Sequence, residues 1–150
     1  MLKNTIAIVL ISLGLFSESL LGYTTTIKFV ETTPEVLRIK KPSAKAISSS
    51  SNINDIVTDK NDRIKLAIFN YQFANNVISY ETTVQKANDV YTLAAKNFFG
   101  TELAGKYEGL SEMIISLIEG TTTNDDHVLT RDEKQELHDK FSALAWNLLN

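Results

Sequence analysis

Few side chains in this 150-residue chain have the types and spacing that chemistry requires. The stretch "GTTTNDDHVLTRDEKQEL", residues 120–137, is the richest in them, with His127 and a run of oxygen-bearing residues. Thr122, Asn124, Asp126 and Glu133 place oxygen-bearing side chains along it, the kind of group a hard cation prefers. The same stretch fits a second arrangement. Thr130-x-x-Glu133 has the form of a capping box, in which the Thr130 hydroxyl accepts from the Glu133 N–H and the Glu133 carboxylate reaches back to the Thr130 N–H.

With Thr122 placed first in a twelve-residue loop, Asn124 is third, Asp126 fifth and Glu133 last. Val128 supplies the seventh-position carbonyl and Leu129 the apolar eighth. The stretch resembles an EF-hand calcium loop, over about thirty residues counting a helix on each side. That resemblance implies calcium as a bound ion, with Asn124, Asp126 and Glu133 as its ligands. Thr122 stands where the family has an aspartate, and His127 stands where a glycine makes the sharp turn. Asp125 and Asp132 fall at positions that do not ligate, so only Asp126 and Glu133 bring charge to the ion. The favoured reading is therefore a capped turn between two helices with no cofactor, and a calcium-responsive loop at 122–133 is the alternative.

The second histidine, His138, is flanked by Glu136 and Asp139, but helical residues one or two apart do not face the same way. The chain has no cysteine, which excludes thiol chemistry, cysteine-bound zinc and iron–sulfur clusters. No H-E-x-x-H, G-x-S-x-G or phosphate-cradling glycine loop occurs. The expectation is a protein that is not an enzyme. A net charge of −3, without a basic cluster on the helices, argues against a nucleic-acid partner.

These residues need elements to position them, and the chain first declares an address. "MLKNTIAIVLISLGLFSESLLG", residues 1–22, has a short positive start at Lys3, an apolar run from Ile6 to Phe16, and then polar and small residues. That is the layout of a secretory signal peptide, with cleavage expected after Ser19 or Gly22. The run is shorter than the ~20 apolar residues a bilayer requires. An uncleaved segment, which would tether the protein to a membrane, is the alternative. The missing cysteines and the lack of an Asn-x-Ser/Thr site fit an exported bacterial or phage protein, periplasmic or secreted.

Residues 23–58 read as an extended basic arm and a linker. Lys28, Arg38, Lys40, Lys41 and Lys45 stand against Glu31 and Glu35 up to residue 50, whereas residues 51–150 hold nine basic and fifteen acidic residues. The arm alternates Thr, Ile, Phe and Val, predicting a strand at 24–30 and a weaker one at 35–40, the makings of a β-hairpin. The Ser-rich "SAKAISSSSNIND" predicts a linker with little to bury. Deletion of residues 23–50 is then expected to leave the helical part folded.

Residues 59–150 read as a helical domain. Leu66, Phe69, Phe73, Val77, Tyr80, Val84, Ala87, Tyr91, Ala94 and Phe98 recur at helical spacing, predicting one long helix or two with a break near "NNVISYETT". A second helix is expected at 102–119, capped by Thr101 and ended by Gly120, with Gly105 and Gly109 weakening it. A third is expected from Arg131 to Leu149, with Leu137, Phe141, Leu144 and Leu148 inward and Trp146 off that stripe. The fold class is all-α, a small bundle of about three helices with a short extended N-terminal arm.

The function these features suggest is an exported helical binding module that contacts and regulates or inhibits an envelope or extracellular protein. Phe73 and Tyr91 are expected inside the stripe. If part of that stripe faces outward, Phe73, Tyr80, Tyr91 and Trp146 become the candidate interaction residues. A homo-oligomer is a further arrangement compatible with the sequence.

Overall fold

A computed structural model of the chain describes residues 32–77, 83–99, 105–122 and 128–150. The helices in chain order are α1 (Pro34–Leu37), α2 (Ala44–Ser48), α3 (Ile53–Ile56), α4 (Lys60–Val77), α5 (Val84–Phe99), α6 (Leu110–Glu119) and α7 (Arg131–Leu149). The fold is an all-α bundle, and the described residues contain no strand. An isolated antiparallel bridge joins Thr83 to Val128. Among the described residues, no helix is long and apolar enough to cross a membrane.

The central pair is α4 against α7. α7 begins where the sequence predicts, because both hydrogen bonds of the Thr130–Glu133 capping box are made. Its stripe of Leu137, Phe141, Leu144 and Leu148 is buried against α4, whose Leu66, Phe69 and Phe73 are also buried. Phe69, Phe73, Tyr91 and Phe141 interlock, with Phe73 edge-on to both Tyr91 and Phe141 at 4.9 Å between ring centroids. Each such pair adds about 0.5–1.5 kcal/mol beyond the area it buries. One polar group enters this core with its partners. Asn70, fully buried, donates to the Leu66 carbonyl at 2.8 Å and accepts from the Tyr91 hydroxyl at 2.7 Å.

The apolar rhythm between 61 and 99 resolves into two helices, α4 and α5, either side of the β-branched stretch where a break is expected. Three expectations need correction. The weaker strand at 35–40 is replaced by α1, because Thr33 caps the Val36 N–H and Pro34 fixes the first turn of a helix. The strand at 24–30 lies outside the described residues. The Ser-rich stretch forms α2 and α3, which pack on α7 and bury Ala46, Ile53 and Val57, so it has more to bury than its composition suggests. The helix expected at 102–119 is broken: Gly105 and Lys106 are helical, residues 107–109 turn, and α6 starts at Leu110. Gly109 sits at its N-cap with φ +89°, a left-handed conformation that interrupts any helix arriving from residue 105.

Candidate functional site

The polar cluster that stands out is built at the start of α4. Asp59 caps this helix: its Oδ1 accepts from the Asp62 N–H at 3.0 Å, and its carbonyl accepts from the Arg63 N–H. Asp62 lies in the first turn, where the helix dipole favours an anion. The chain comes back at residues 105–109, and its left-handed turn at Gly109 delivers Lys106 and Tyr107 to Asp62. Lys106 Nζ donates to Asp62 Oδ2 at 2.7 Å, and the Tyr107 hydroxyl donates to the same oxygen at 2.5 Å. Lys106 Nζ also lies 5.5 Å from the centre of the Tyr107 ring. Tyr107 is itself buried, with only its hydroxyl end reaching the cluster.

Beside this cluster opens a cleft of about 630 Å³, lined by Asp55, Ile56, Thr58, Asp59, Lys106, Tyr107 and Glu108. One wall is α3 and the two residues that follow Val57; the other is the turn before α6. The side chains of Asp55, Asp59 and Glu108 are exposed. The single lysine of the lining is already paired with Asp62.

The hydrogen bonds from Lys106 and then Tyr107 hold the Asp62 carboxyl below the ordinary carboxylate range. The bond to Asp62 raises Lys106 above the usual lysine value. Burial and then the bond to Asp62 raise Tyr107. All three shifts move away from neutrality, so Asp62 stays ionised, Lys106 charged and Tyr107 protonated near pH 7. A general acid or base works best with a pKa near the operating pH. This trio does the opposite: it holds fixed charges and a fixed geometry at one edge of the cleft.

The residues singled out from sequence fare differently. Asn124, Asp126, His127 and Tyr80 lie outside the described residues. Glu133 is a capping residue, with its Oε1 accepting the Thr130 N–H at 2.8 Å. A terminal EF-hand glutamate needs both carboxylate oxygens on the ion, and the cap holds one of these. Thr122, the first loop position, is buried. Among the described residues, no group of three His, Cys, Asp or Glu side chains is placed to hold a metal. Phe73 and Tyr91 are interior, so the interaction role assigned to them gives way to a core role. Burial also holds the Tyr91 hydroxyl protonated far above its ordinary range, against the lowering effect of Asn70. Trp146 is half-buried at the margin of α7, as its place off the stripe predicts. His138 contacts Asn75 Oδ1 at 3.2 Å and Asp139 at 3.4 Å and is not part of the cleft lining.

Sequence reasoning missed Asp62, Lys106 and Tyr107. Tyr107 falls within the helix expected at 102–119, at the turn that breaks it, and its partner lies 45 residues earlier. The one local signal that could have found part of the cluster is the Asp59-x-x-Asp62 spacing, a helix N-terminus pattern. Compared with protein-family models, with curated proteins and with solved structures, the chain matches none of them.

Proposed function

We propose that this chain is an exported, non-enzymatic helical binding module that contacts and regulates a protein of the envelope or the extracellular space. The observation that carries this reading is the open cleft between residues 55–59 and 106–108. Its lining combines the Ile56 and Tyr107 side chains with three exposed carboxylates, and its one lysine is neutralised by Asp62. A partner surface bearing Lys or Arg beside an apolar side chain complements such a lining. The pKa shifts of Asp62, Lys106 and Tyr107 support binding over proton transfer, because each group keeps its ordinary charge near neutral pH. The layout of residues 1–22 supports export. The calcium alternative has less support, since Glu133 serves the helix cap.

Site-specific photo-crosslinking tests the proposal. A crosslinking residue at Glu108 or Ile56 should give one protein adduct of defined mass in the envelope fraction of the source cell. Excess unlabelled protein should compete it away, and the same crosslinker at exposed Lys96 on α5 should give none. Equal labelling from all three positions, or no competable adduct, would overturn the reading.

A further inference from the structure

We infer that residues 43–57 form a clasp that swings away from the bundle as a unit while α4 to α7 stay folded, and that this opening reshapes one wall of the cleft. The part about the cleft rests on the binding role proposed above; the opening itself does not. α2 and α3 are five and four residues long, too short to persist in water without a surface to pack on. Their attachment converges on one residue near the end of α7. Asn147 Nδ2 donates to the Ile47 carbonyl at 2.8 Å and to Ser50 Oγ at 3.0 Å, and the Asn147 carbonyl accepts from Asn54 Nδ2 at 2.8 Å. That carbonyl lies in the last turn of α7, where the Asn150 N–H donates to it at 3.3 Å, and α3 adds a second donor there.

The fastening combines the buried apolar side chains of Ala46, Ile53 and Val57 with this polar hub. Ser50 is fully buried, while Asn54 Oδ1 is a buried atom without a hydrogen-bond partner. The bundle is held in addition by the aromatic interlock of α4, α5 and α7, to which residues 43–57 contribute no ring. The hinge is equally defined. Val57 is extended, with φ −96° and ψ 100°, and Asp59 caps α4 by itself. The first turn of α4 therefore keeps its cap when the clasp leaves. Asp55, Ile56 and Thr58 travel with the clasp or its hinge and line the cleft, so a ligand there contacts both the moving and the fixed wall.

Hydrogen exchange of the free full chain, followed by mass spectrometry in low denaturant, tests the opening without any partner. Amides of residues 47–57 should exchange at least roughly tenfold faster than those of 66–74 and 141–147, in an opening with a smaller denaturant dependence than global unfolding. Asn147→Ala should speed exchange of the clasp by a further factor of about ten and leave 66–74 unchanged. If clasp and bundle amides exchange together, with the same denaturant dependence, the clasp is part of one cooperative unit and the inference fails. Equal acceleration of both by Asn147→Ala sinks it as well.

Discussion

Asp62 accepts two hydrogen bonds on one carboxylate oxygen, from Lys106 and Tyr107, and this sets the sign of its contribution to pH stability. Its folded-state pKa lies below the ordinary carboxylate value, so the unfolded chain takes up the proton first as pH falls. The stabilisation is complete above that value and is lost as pH drops through the folded pKa. Asp62→Asn should therefore flatten the acid limb of the stability curve below about pH 5, measured by denaturant melts across pH. In the core, Phe73→Ala should cost roughly 3–5 kcal/mol, because Phe73 is fully buried with aromatic neighbours on either side. A loss below about 1 kcal/mol in denaturant melts would mean the site collapses or is not packed as described. At this scale the core was legible. Phe73 and Tyr91 fall on a periodic stripe, and periodicity reports burial. The Asp62 cluster was not, because a hydrogen bond across 45 residues leaves no local pattern.

Elements divide in the same way. α7 was readable end to end, since its cap, its stripe and its length are all local properties of residues 130–149. Thr130→Ala should cost about 1 kcal/mol through the lost cap. Millimolar calcium should not change that figure or the stability of the wild type, whereas a micromolar site would add about 4 kcal/mol under those conditions. A calcium-dependent rise in Tm of matching size would restore the ion-binding reading of 122–133. The short helices were not readable, because what orders α2 is Asn147, 100 residues away. Deleting residues 23–50 should consequently destabilise the bundle, contrary to the sequence expectation. It removes the buried Ala46 and both hydrogen bonds of the Asn147 amide, each worth about 0.5–1.5 kcal/mol. An unchanged thermal melt of the truncated chain would contradict this.

At the scale of the molecule, the helices make one bundle with an aromatic interior, and the cleft is a concave stretch of its polar surface. Its lining comes from two segments about fifty residues apart, which composition and motif could not have brought together. On the proposed function, a partner protein binds there and reads the carboxylates. The most direct measurement is the affinity of the crosslinked partner, once isolated, for the wild type and for the double variant Asp55→Lys, Glu108→Lys. Both side chains are exposed, so the variant should fold with an unchanged melting curve. Binding should weaken at least about tenfold, and the wild-type affinity should fall with added salt. An affinity unchanged by the double reversal, in a variant shown to be folded, would contradict the claim.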